Sequence, residues 1–150
     1  MGPASRGGVG DARSGPHRVI AADTSVLVRY LVGTPATQAK QAAKLIDDDD
    51  LEIGIAPVAL AECAHVLRTQ YEVEARDVID SLIDLVQREN IRMLGVSTEL
   101  VVQHLVLARS MPGRPIPDAL IVAAAVAVGA ESLATFDQDR RRYGIPIRHP

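Results

Sequence analysis

Four acids, Asp23, Glu62, Asp118 and Asp137, stand at the edges of apolar segments of this 150-residue chain. Asp23 ends the run Arg18-Val-Ile-Ala-Ala22, and Asp137 ends Ser132-Leu-Ala-Thr-Phe136. Glu62 and Asp118 fall in the early turns of two apolar, helix-like stretches that open with Pro57 and Pro117. A carboxylate at such an edge costs stability unless something positive binds it. Two acids at strand ends and two near helix starts is the arrangement that a divalent-metal site needs. An all-carboxylate donor set selects hard cations, Mg²⁺ or Mn²⁺, over zinc, which prefers His and Cys. Mg²⁺ leaves much of its shell to water and substrate phosphate, so a phosphodiester is the natural substrate. One such ion activates water, and a second stabilises the leaving oxygen.

The elements that must position these acids follow from hydrophobic spacing. Val19–Ala22 reads as a short buried strand, followed by a helix over Thr24–Val32 that Asp23 or Thr24 can cap. A second helix over Thr34–Ile46 has small or apolar residues at Ala39, Ala42, Ala43 and Ile46. Glu52–Ala56 alternates like a strand, and Pro57 suits the first position of a helix to Gln70. Glu74–Asn90 is the clearest amphipathic helix, with Val78, Ile79, Leu82, Ile83, Leu85 and Val86 on one face. Ile91–Val96 reads as a strand, Ser97 starts a helix to about Ser110, and Met111–Pro115 is a Pro/Gly loop. Pro117–Val128 is a helix apolar enough to be buried on most sides. Ser132–Phe136 and Ile145–Ile147 are the last strands. Strands alternating with helices predict an α/β sandwich with a mainly parallel sheet. In open parallel sheets ligands bind beyond the carboxyl ends of the strands, where Asp23 and Asp137 fall.

Composition sets the limits. A net charge of −3 gives no bulk attraction to nucleic acid, so such binding requires a local patch. One Phe, three Tyr and no Trp leave an aliphatic core and few platforms for base stacking. The single Cys63 excludes an internal disulfide and suits a reducing compartment. Residues 1–17, rich in Gly, Pro and Ser, are expected to be a disordered tail or an expression remnant, with residues 18–150 one domain. The tail has no signal-peptide apolar stretch, and the longest apolar run, Ala119 to Ala130, is too short to span a bilayer. A cytoplasmic protein without a membrane partner is expected.

Four segments occur in order: Val19-Ile-Ala-Ala-Asp23-Thr24-Ser25, Pro57-Val-Ala-Leu-Ala-Glu62, Pro117-Asp118-Ala-Leu-Ile-Val-Ala-Ala and Thr135-Phe136-Asp137. Each motif alone is weak, but four at compatible spacing are specific. Together they resemble a PIN-domain ribonuclease of the VapC toxin type, from about Arg18 to Ile147. The resemblance implies a PIN-like three-layer α/β/α sandwich and Mg²⁺- or Mn²⁺-dependent RNA cleavage. It also implies a homodimer and a cognate antitoxin whose C-terminal segment occupies the cleft. Asp23, Glu62, Asp118 and Asp137 match the family's acidic metal-site positions. Ser25 and Thr135 match polar positions beside the first and last acids, and Asp139 is a supplementary acid. Asp139 precedes Arg140-Arg141-Arg142, a departure from the apolar residue expected in many relatives, which bears on Asp139 and not on the quartet.

Plainer roles compete with these. Asp23 can cap a helix and still serve a site. Asp118 can answer the helix dipole, and Asp137 with Asp139 can form an Asp-rich turn. Asp47-Asp48-Asp49-Asp50 reads as a solvated helix end, because an EF-hand needs Gly at the sixth position, where Glu52 stands. Arg140, Arg141 and Arg142 are either a solvated turn or a phosphate clamp that steers RNA towards the acids. His65, three residues after Glu62, reads as peripheral, and Cys63 as a small buried apolar residue. The helix near Val101, Val102, Leu105, Val106 and Leu107 is apolar on too many sides for a single core stripe, which suggests a second apolar contact. Two other functions fit less well. One is a phosphatase or phospho-acceptor domain using Asp23, although the dehalogenase-type pattern wants an Asp where Ser25 stands. The other is a non-catalytic interaction module.

Overall fold

Three aliphatic segments make the sheet. β1 (Val19–Ala22), β2 (Glu52–Ile55) and β3 (Ile91–Met93) lie parallel, in the order β1-β2-β3, in a computed structural model that describes residues 18–137 and 144–150. Register decides what each face carries. Ile20, Ile53 and Ile91 form one cross-strand row, and Ala22, Ile55 and Met93 the next. All but Ile20 are buried, so this face is the floor of the core. On the opposite face Gly54 lies between Ala21 and Arg92. A Cβ on Gly54 would stand 2.8 Å from a methyl of Leu94 and 3.0 Å from one of Val19. The bare backbone lets those two side chains close over the central strand.

Among the described residues six helices pack around the sheet: α1 (Thr24–Val32), α2 (Ala36–Ile46), α3 (Pro57–Thr69), α4 (Ala75–Val86), α5 (Thr98–Arg109) and α6 (Ile116–Ala127). Their ends carry local signals. Asp23 caps α1, Pro57 starts α3, and Ser97 caps α5 by accepting from the Leu100 N–H. Gly33, at φ 78°, ends α1 in the left-handed conformation that places its N–H on the Arg29 carbonyl. α3 packs against α1, α4 and α6, so it is the hub. Leu60, Cys63, Ala64 and Leu67 are its buried stripe. Asp80 on α4 accepts two hydrogen bonds from Arg109 on α5, at 2.6 and 3.1 Å.

The expected parallel α/β sandwich is therefore observed, with differences in its elements, among them a helix expected over Glu74–Asn90 that ends at Val86 and a strand expected over Ser132–Phe136 that shortens to Leu133–Ala134. The third strand stops at Met93 because Gly95 turns the chain at φ 76°. The last strand is Ile147–Arg148, not Ile145–Ile147. The final pair, β4 (Leu133–Ala134) and β5 (Ile147–Arg148), forms its own two-stranded parallel sheet instead of extending the first. The N–H groups of Leu133 and Thr135 bond to the carbonyls of Pro146 and Arg148, which commits this short segment to β5. The acid run also resolves as a helix end. Asp47 caps the end of α2 and pairs with Arg88 at 2.8 Å, and Asp48 accepts from the Asp50 N–H within a turn. The anticipated tail, residues 1–17, lies outside the described residues. No helix among the described residues is long and apolar enough to cross a membrane.

Because α3 carries Glu62 and sits at the hub, its burial governs the site. Leu60, with no exposed surface, should cost about 2–5 kcal/mol when cut to Ala. A urea titration should show a lower midpoint with little change in slope.

Candidate metal centre

Asp23 leaves β1 at its carboxyl end and turns the chain into α1. Its backbone is extended (φ −87°, ψ 176°), which aims the carboxylate back at the first turn of the helix. Oδ1 accepts from the Ser25 hydroxyl at 2.6 Å, the Ser25 N–H at 3.0 Å and the Val26 N–H at 3.3 Å. Foremost the Ser25 hydroxyl, then the Val26 N–H, hold the Asp23 carboxyl below its ordinary range. One oxygen is thus spent on the cap. The other, Oδ2, accepts no hydrogen bond among the described residues.

Glu62 is tied to this corner by Thr24. The Thr24 hydroxyl donates to Glu62 Oε2 at 2.6 Å, across 38 residues of sequence. The bond joins the start of α1 to the second turn of α3, two helices that also pack together. Glu62 Oε1 has no partner among the described residues. Asp118 lies in the first turn of α6, which packs against α3. It is half-buried and lines a small cavity with His104, Leu107, Ala108 and Met111. No hydrogen bond or ion pair engages its carboxylate among the described residues.

Asp137 follows β4. Its N–H donates to the Thr135 hydroxyl at 3.0 Å, and the Thr135 carbonyl meets His149 Nδ1 at 3.0 Å. Because β4 pairs with β5 and not with β1, the sheet does not carry Asp137 to Asp23. Among the described residues no three His, Cys, Asp or Glu side chains are grouped closely enough to hold a metal ion. Thr24, the residue after Asp23, links this corner to Glu62, Asp118 stands on α6, which packs against α3, and Asp137 follows the separate β4–β5 pair.

The chemistry of the donor set fits a hard cation. Asp47, Glu52 and Asp80 each face an arginine. Asp23, Glu62 and Asp118 present carboxylate oxygens with no basic partner in an ion pair among the described residues, and the His104 imidazole beside Asp118 is engaged at Nδ1 by the Leu100 carbonyl.

A family model for the PIN domain matches residues 20–146. The chain belongs to the PIN domain family. PIN domains are generally metal-dependent nuclease folds, and Mg²⁺ is typical of them. A comparison with curated proteins finds no match.

Within this PIN domain, the Ser25 hydroxyl donates to the Asp23 carboxylate, whereas the Thr135 hydroxyl accepts from the Asp137 backbone N–H. Asp139, Arg140, Arg141 and Arg142 lie outside the described residues. Cys63 is buried, which pushes its thiol up to about 12 and leaves it inert as a nucleophile. Two side chains escaped sequence reasoning. Thr24 looked only like a cap, and nothing local points from it to Glu62. His104 looked like one more residue of α5, yet it is 5% exposed, its Nδ1 meets the Leu100 carbonyl at 2.8 Å, and it shares a cavity with Asp118.

Ser25→Ala should move the Asp23 carboxyl up towards its ordinary value in a side-chain NMR titration. A depressed folded-state pKa contributes stability above the unfolded value, and that contribution is lost as pH falls through the folded value. The variant should therefore be less stable than wild type at neutral pH, and the difference should shrink as the solution is acidified through that window.

Proposed function

We propose that this PIN domain is a Mg²⁺- or Mn²⁺-dependent endoribonuclease and the VapC-type toxin of a toxin–antitoxin pair. The observation that carries the reading is the Thr24–Glu62 hydrogen bond, which fastens an acid of α3 beside the acid at the end of β1. Asp23, Glu62, Asp118 and Asp137 would hold the ion. When bound, it polarises the scissile phosphate and makes water a competent nucleophile at neutral pH.

The side chains prepare that chemistry in distinct ways. Ser25 keeps Asp23 ionised and fixes which of its oxygens is available. The Thr24 hydroxyl donates a hydrogen bond to Glu62 Oε2, which leaves Oε1 without a partner among the described residues. Asp118 stands in the first turn of α6, where the helix dipole favours its negative charge. Hydrolysis breaks the phosphorus–O3′ bond and puts the water oxygen on phosphorus, leaving a 3′-hydroxyl and a 5′-phosphate.

The partners follow from the same reading. On α5, Val101 and Leu105 are buried, whereas Val106 and Leu107 are 49% and 40% exposed. A second apolar face on this helix supports the homodimer. Unpaired carboxylates in a cleft are also what a basic antitoxin segment would neutralise. The cytoplasm, where RNA and a reducing pool coexist, is the compartment this function requires.

Purified protein, freed of any partner, should cut total cellular RNA at discrete positions with Mg²⁺ or Mn²⁺ and not with EDTA. Asp23→Asn and Asp118→Asn should lower cleavage by at least about 100-fold, the scale of losing a transition-state electrostatic contact, while leaving the circular dichroism spectrum unchanged. Full activity in both variants would remove these acids from the mechanism.

A further inference from the structure

A cavity of about 10 Å³, room for about one water molecule, lies between the second half of α5 and the first turns of α6. His104 of α5 and Asp118 of α6 both line it, and Leu107, Ala108, Met111 and Val122 make most of the remaining wall apolar. The two helices pack directly against each other, so the core fixes both walls. We infer that the cavity holds a water that bridges the His104 imidazole to the Asp118 carboxylate, which makes His104 a positioning residue for that acid. The inference rests on the reading of Asp118 as a metal-site acid and adds what holds it in place.

His104 supplies the first argument. Among the described residues it is the one polar residue that is buried, at 5% exposed. Its Nδ1 lies 2.8 Å from the Leu100 carbonyl, one turn back on the same helix. A carbonyl only accepts, so Nδ1 carries the proton, and in the neutral ring Nε2 is an acceptor. No hydrogen bond reaches Nε2 among the described residues. An acceptor on a buried residue costs stability unless a donor meets it, and the apolar side chains around the cavity have none to give.

Asp118 supplies the second. It is half-buried, and its carboxylate is engaged by no hydrogen bond or ion pair among the described residues. The other two acids of the corner are each fastened at one oxygen by a hydroxyl, Asp23 Oδ1 by Ser25 and Glu62 Oε2 by Thr24, both at 2.6 Å. The opening of α6, Ile116-Pro117-Asp118-Ala119, has no Ser or Thr to do the same. A water has two protons to donate. One goes to His104 Nε2 and the other to an oxygen of Asp118, which leaves the second carboxylate oxygen for a cation. Hydrogen bonds of this outer kind orient a metal-ligating side chain.

The test pairs high-resolution crystal structures of the full-length chain, grown in EDTA, with calorimetric titration of Mn²⁺ into wild type, His104→Phe and His104→Gln. Phe fills the space of the imidazole without its nitrogens, whereas Gln can set an amide oxygen near the place of Nε2. Wild type should show a water within hydrogen-bonding distance of both His104 Nε2 and an Asp118 oxygen, with Asp118 in one conformer. His104→Phe should lose that water, spread Asp118 over several conformers and weaken Mn²⁺ binding about 10-fold, at a thermal stability that need not fall. His104→Gln should restore most of the affinity. A dry cavity in the wild-type crystal, or a water that touches only one of the two side chains, would overturn the bridge, whether or not His104→Phe folds. Wild-type Mn²⁺ affinity in a folded His104→Phe would overturn the positioning role. A wild-type protein that binds no Mn²⁺ would count against the metal-site reading, and the bridge would then stand or fall on the crystals alone.

Discussion

Among the described residues, one hydroxyl, that of Thr24, engages the Glu62 carboxylate. Sheet geometry places Asp23, and helix packing places α3, but the 2.6 Å bond from Thr24 turns two neighbouring helices into one corner. Carboxylates brought towards each other repel, and water would draw an exposed glutamate outward. The hydrogen bond opposes that drift while leaving Glu62 Oε1 and Asp23 Oδ2 open. The proposed metal preference depends on that corner being preformed.

The corner is stable because α3 is anchored elsewhere. Its buried stripe meets α1, α4 and α6, and the opposite side carries Glu62, His65 and Arg68 towards solvent. One helix therefore supplies a wall of the core on one side and an exposed face with Glu62 on the other. Acid and base lie one turn apart without forming an ion pair.

Much of this was legible in the sequence. The order of strands and helices followed from alternating and helical spacing, with sharp signals at Asp23, Pro57 and Ser97. The chemistry of the acids followed from their type and their position at segment ends. The failures share a cause, which is that partner choice between distant segments leaves no local mark. Ser132–Phe136 has a strand's composition, but composition does not say that its donors go to Pro146 and Arg148 and not to β1. For the same reason Asp137 stands on a separate ribbon while Asp23, Glu62 and Asp118 lie on elements that touch. Thr24 owes its part to a partner 38 residues away and His104 to a cavity it shares with the next helix, neither of which a residue's identity announces.

The most direct measurement is anomalous scattering from crystals soaked in Mn²⁺. The account predicts a difference peak within coordination distance of carboxylate oxygens of Asp23 and Asp118, with Glu62 in its surroundings. Fully occupied crystals with no peak at these acids, or with manganese bound only at other carboxylates such as the Asp47–Asp50 run, would contradict it.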